Sequence, residues 1–160
     1  MAPGNVVGNR GTGVSEDGLA HDPRPVYEQL VSAADIVFAR EDEAALLVGN
    51  AEAPVLAERL RRLGPREVVI RRGAHGAFAS DGTTCHDEPA RRVDVVDTVG
   101  AGDAFVAGYL SLCGGSASLV ERLRRGVAVG AFACTSAGDG EGSPTLAELS
   151  RMDDEEGVVR

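Results

Sequence analysis

"VVDTVGAGDAFVAGYL", residues 95–110, places two acids and two glycines between an apolar run and a helix-forming run. Its pattern predicts a strand that ends near Val96 and a helix that begins near Ala101 or Gly102. Gly100 and Gly102 let the backbone turn sharply there and let a ligand come close. The first amides of a helix have no carbonyl partner within it, and they sit at the positive end of its dipole. Such a turn can hold phosphate oxygens. In open α/β sheets it also lies where ligands bind, beyond the carboxyl ends of the strands. Asp103 departs from a simple phosphate cradle, which would avoid a carboxylate. Beside a transferring phosphoryl group it makes sense as the acceptor of a proton from an attacking hydroxyl. A plainer reading keeps Asp97 and Asp103 as capping or solvated acids of a glycine-rich turn. Two other phosphate motifs do not fit. A dinucleotide fingerprint needs glycine where Phe105 stands, and a Walker loop needs a lysine that this chain lacks.

Outward from this stretch, helical and apolar runs alternate. Residues 1–24 are glycine-rich and without steady period, and read as loop or disorder. "VYEQLVSA" reads as a short helix, "DIVFA" as a buried strand and "EDEAALLVG" as a helix closed by Gly49. "APVLAERLRRLG" gives a helix with Val55, Leu56, Leu60 and Leu63 on one side. "REVVIRR" is a strand, "GAHG" a turn, and "AFAS" with "TTCHD" a hairpin turning at Asp81-Gly82. "RRVDVV", residues 91–96, reads as a further strand. Beyond the helix expected near residues 102–113, Ser118 and Glu121 make a capping box for a helix running to about Ala137. A glycine-rich loop follows, then a second capping box at Thr145 and Glu148. The last residues, 153–160, form an acidic tail. The alternation predicts an α/β layered sheet, mainly parallel.

Composition narrows the function classes. The chain has 160 residues and a formal net charge of −9, so a basic face for nucleic acid or membrane surfaces is not expected. All sixteen basic residues are arginine, which excludes any mechanism that needs a lysine of this chain. Cys85, Cys113 and Cys134 are odd in number and widely spaced, neither a disulfide framework nor a zinc site. Cys113 and Cys134 read as buried small side chains. No apolar stretch has the length of a membrane span, no secretion signal is apparent, and a reducing cytoplasm fits best.

The longer string "DTVGAGDAFVAGYL" resembles the C-terminal signature of the ribokinase-like (PfkB) family of carbohydrate kinases. Three further segments are similar to that family in the same order: "ADIVFAREDEAALLVG", "VVIRRGAHGAFA" and "AGDGEGSPTLAEL". The form of these segments is most like the 2-keto-3-deoxygluconate kinase branch, and the resemblance runs from about Asp35 to Met152. It implies a layered α/β/α ribokinase-like fold, here its C-terminal, nucleotide-binding half, over residues 25–152. It implies ATP and Mg²⁺ as cofactors, a sugar or keto-deoxy sugar acid as substrate, and Asp103 as the catalytic base. Gly100, Ala101, Gly102 and Asp103 match the anion hole, with Asp97 and Thr98 shaping the turn. Arg72, Gly73, Gly76 and Ala77 match the segment lining the ATP phosphates. Glu43 matches an acid that helps organise Mg²⁺, and Asp139 one that contacts substrate.

Several residues also have plainer readings. Glu43 opens a helix, where an acid is favoured in any case. Gly73 and Gly76 suit an ordinary hairpin turn, Asp139 an ordinary loop acid, and Arg71 and Arg72 a solvated strand end. His75 and His86 read as surface positions without ligand-like partners. Arg40 stands where the family motif usually has asparagine. The family's N-terminal half is not matched, and Asp22-Pro23-Arg24 keeps at most a vestige of its sugar-contacting segment. This predicts an exposed sheet edge through which copies could associate. Two rival functions follow: a nucleotide-binding remnant without turnover, and an interaction module using that edge. Within the enzyme class, a ribose or fructose kinase is the rival.

Overall fold

The computed structural model describes residues 22–138, 144–145 and 147–149. Two compact units share the chain. One comprises the described residues up to Arg72 together with Phe78–Cys85; the other comprises Gly73–Ala77 and the described residues from His86 onward.

The first unit contains α1 (Arg24–Ser32), β1 (Ile36–Arg40), α2 (Glu41–Val48), α3 (Ala53–Arg61), β2 (Glu67–Arg71) and most of β3 (Ala77–Ser80). It ends at Cys85, the first residue of β4 (Cys85–Glu88), and the strand order is β1-β2-β3-β4. β1 and β2 pair in parallel, with Ile36 opposite Glu67 and Arg40 opposite Arg71. Both are apolar runs because both faces are covered: Val37, Phe38, Ala39, Val68, Val69 and Ile70 are all buried. Gly49 ends α2 with a positive φ of 81° and donates to Ala45 O, as its sequence position predicts.

Two details of this unit differ from expectation. The buried face of α3 is Ala53, Leu56, Ala57 and Leu60; Val55 points outward, because i, i+3, i+4, i+7 spacing selects the alanines. The hairpin turns around Gly82-Thr83 rather than Asp81-Gly82, with Asp81 N donating to Thr84 O at 3.1 Å. The Asp81 carboxylate, which accepts from the amides of Thr83 and Thr84, shifts the turn by one residue.

The second unit contains a 3₁₀ turn (Gly73–His75), the rest of β4, α4 (Ala101–Leu110) and α5 (Leu119–Ala133). The Ser118–Glu121 capping box forms as expected, and its hydrogen bonds hold the Glu121 carboxyl below its ordinary range. Thr145 and Glu148 also exchange capping bonds. Both long helices stop earlier than their sequences suggest. After each, amides turn back to carbonyls three residues earlier: Cys113 to Leu110, and Thr135 to Phe132.

Residues 91–96 are not a strand. Val96 donates instead to Cys134 O at 2.8 Å, at the end of α5, and Val95 and Val96 are more than half exposed. Alternating valines supply strand propensity, but a strand exists only where a neighbouring strand completes the ladder. Cys113 and Cys134 are half-buried rather than buried; all three cysteines are free. Among the described residues no helix is long and apolar enough to cross a membrane.

Candidate functional site

Gly100 opens α4 from the left-handed region, at φ 75° and ψ −14°. A side chain there would force an L-residue into a conformation costing about 1–2 kcal/mol, so glycine is a backbone requirement at this point. Asp97 fixes the approach to the turn. Its carboxylate accepts from the amide of Val99 at 3.0 Å and from that of Gly138 at 3.4 Å. These bonds, Val99's first, hold the Asp97 carboxyl below its ordinary range. The backbone carbonyl of Thr98 accepts from Ala101 N at 3.3 Å. Asp97 and Thr98 thus shape the turn, as the sequence suggests.

The amides of Gly102 and Asp103 occupy the second and third positions of α4, where a helix offers them no internal acceptor. The Ala101 amide is engaged within the turn by Thr98. Asp103 lies in the first turn of α4 and is exposed. A carboxylate and helix-end amides therefore share one turn. That arrangement can receive an anionic group while holding a proton acceptor beside it.

Helix α4 is held by α5 through glycines that the sequence does not single out. A Cβ on Gly108 would lie 2.7 Å from Val129 side-chain carbons. On Gly126 and Gly130, it would lie 3.1–3.2 Å from atoms of Phe105 and Ala101. The two helices approach closely, and Phe105 and Tyr109 of α4 and Leu123 and Val127 of α5 are buried. Arg122 lies over the Tyr109 ring at 5.2 Å from its centroid. The signal for this packing was present as Gly126-x-x-x-Gly130, small residues one helical turn apart on α5.

The other candidates lie elsewhere in the two units. Gly73 and Gly76 have positive φ, 56° and 87°, and bracket the 3₁₀ turn. They differ in what they require. A Cβ on Gly73 would meet nothing within 4 Å, whereas one on Gly76 would lie 2.0 Å from Glu88 O. Ala77 is fully buried. Arg72, in the first unit, is half-buried just after β2. Glu43 lies in the first turn of α2, where its Oε2 accepts from the amide of Arg40 at 2.8 Å. Arg40 pairs with Asp42, and Arg24 with Asp22. Asp139 lies outside the described residues.

His86, read as a surface position without ligand-like partners, has its Nε2 2.7 Å from Glu88 Oε2. Burial, and secondarily Asp97, pushes the Cys134 thiol up. Among the described residues no three His, Cys, Asp or Glu side chains converge on a metal centre. The donor chemistry of Glu43 nevertheless suits a hydrated Mg²⁺. It is a hard oxygen ligand, and one backbone hydrogen bond leaves lone pairs for a bridging water.

A family model for pfkB family carbohydrate kinases matches residues 10–146. A 2-dehydro-3-deoxygalactonokinase of Haloferax volcanii is 37% identical over 120 residues, 74% of this chain and 38% of that protein. A 2-dehydro-3-deoxygluconokinase of Bacillus subtilis is 36% identical over 122 residues, 76% of this chain and 38% of its own length. The chain thus spans under two-fifths of these relatives. Among solved structures, an aminoimidazole riboside kinase from Salmonella enterica, complexed with aminoimidazole riboside and an ATP analog, superposes with a TM-score of 0.69 at 34% identity. That match covers 78% of this chain and 45% of the kinase. The fold is ribokinase-like α/β, as the sequence leads one to expect.

Proposed function

Because this chain belongs to the pfkB family of carbohydrate kinases, we propose that it serves ATP-dependent phosphorylation of a sugar-type hydroxyl, with Asp103 as general base. The observation that carries the proposal is one turn: a left-handed Gly100, the first amides of α4, and the exposed Asp103 carboxylate within it. In the proposed step the Asp103 carboxylate takes the proton of the substrate hydroxyl. That oxygen bonds to the γ-phosphorus, the bond from phosphorus to the β–γ bridging oxygen breaks, and ADP leaves. The amides of Gly100, Ala101, Gly102 and Asp103 form the proposed anion hole. Such donors would stabilise the charge of the transferring phosphoryl group, and the Ala101 amide also donates to Thr98 O within the turn. Arg72, Gly73, Gly76 and Ala77 would line the ATP phosphates. Bound Mg²⁺ would supply charge neutralisation on those phosphates, with Glu43 orienting its water.

For substrate we favour a keto-deoxy sugar acid of the 2-keto-3-deoxygluconate class. Support comes from the names of the two curated relatives and from the segment resemblance. Asp139 would contact the sugar acid. The test is a coupled ADP-release assay with 2-keto-3-deoxygluconate, fructose and ribose in parallel. Release dependent on the sugar acid, and several-fold weaker with the other two, is expected. Equal rates with fructose or ribose would overturn the substrate class. ATP binding with no sugar-dependent release would overturn the kinase activity.

A further inference from the structure

We propose that Glu88 is a positioning residue that braces the Gly73–Ala77 turn against α5. The inference starts from a close approach. The backbone of residues 88–90 fills the space beside Gly76: a Cβ there would lie 2.0 Å from Glu88 O and 2.6 Å from Ala90 N and Pro89 C. The turn therefore seats directly on the end of β4, and whatever holds that backbone holds the turn. Glu88 supplies the hold. Its Oε2 is 2.7 Å from His86 Nε2 and accepts from Arg124 Nε of α5 at 3.2 Å. The Glu88 side chain is only 19% exposed, against 58% for Arg124, so the shared oxygen lies on the sheltered side of the contact. Both bonds to it are specific in direction, and the Arg124 bond is charge-assisted.

The chain of contacts continues toward the turn at the start of α4. Helix α5 is packed against α4 through Gly108, Gly126 and Gly130, and α4 begins with Gly100–Asp103. One acid thus ties the 3₁₀ turn to the helix pair that carries Asp103. Neither His86 nor Glu88 belongs to a sequence motif of the site, and Glu88 reaches Arg124 across 36 residues. The consequence for ATP rests on the function proposed above, which assigns Gly73–Ala77 to the phosphates; the brace itself does not.

The experiment is amide hydrogen exchange on the full chain, for the unmutated protein, Glu88→Gln and Arg124→Gln. Glutamine removes the charge at both positions and preserves side-chain size at position 88. Exchange at residues 73–77 should rise about threefold in either variant, and the double variant should exceed neither. Exchange across α1–α3 should not change, which separates a local brace from general destabilisation. Unaltered exchange at 73–77, or equal acceleration everywhere, would overturn the proposal. In the same samples the apparent affinity for ATP should fall with the loss of the brace while turnover at saturation is kept. If exchange responds as expected but no variant, nor the unmutated chain, binds ATP, the brace stands and the kinase reading fails.

Discussion

At the scale of single residues, Gly100 and Asp97 make opposite kinds of contribution to one turn. Gly100 contributes by lacking a side chain. Gly100→Ala should destabilise the fold by about 1–2 kcal/mol and weaken ATP binding, because the left-handed turn either strains or moves. Denaturant titration beside calorimetry checks both effects; unchanged affinity would detach the turn from the nucleotide. Asp97 contributes charge. Its carboxyl is held below the ordinary range by the Val99 and Gly138 amides, so the stabilisation is fully present above the unfolded value of about 3.9. It is lost as pH falls through the lower folded value. The unmutated chain should therefore melt above Asp97→Asn at neutral pH, and the gap should close on acidification below about pH 4. A gap that persists in acid would mean that Asp97 acts by shape rather than by charge.

At the scale of elements, the close α4–α5 contact is the most exposed to test. Replacing a helical glycine by alanine ordinarily stabilises by up to about 1 kcal/mol. At Gly108 the new carbon would lie 2.7 Å from Val129, and overpacking of this kind costs about 1–3 kcal/mol. Gly108→Ala should thus lower stability on balance, while Gly126→Ala, with contacts of 3.1–3.2 Å, should be nearer neutral. Equal effects in thermal melts would contradict this packing account. The same elements show how far the sequence could be read. Capping boxes at Ser118 and Thr145, the Gly49 helix stop and the buried runs of β1 and β2 depend on neighbours a few residues away, and they were legible. Residues 91–96 carry a strand pattern without forming a strand, because pairing partners are set by the fold, not by local valines. The Glu88–Arg124 contact was invisible for the same reason: long-range pairs leave no periodic trace. The glycine face of α5 was legible in spacing, but its meaning required the neighbouring helix.

At the scale of the whole molecule, two chain-wide facts shape the chemistry. There is no lysine, so positive charge for a phosphate must come from arginine, helix-end amides or a metal ion. The net charge of −9 means that an anionic nucleotide is attracted only locally, by those groups. This places the burden on the turn at residues 97–103, where the resemblance read from the sequence and the observed helix start coincide. The catalytic role proposed for Asp103 was legible only through that resemblance; chemistry alone favoured a capping or solvated acid. The direct measurement is ATP binding by calorimetry with Mg²⁺, run beside coupled ADP release with 2-keto-3-deoxygluconate, on the unmutated chain and on Asp103→Asn. The account predicts that both bind ATP and that Asp103→Asn loses sugar-dependent turnover by about 10²–10⁴-fold. Turnover that survives in Asp103→Asn would contradict it.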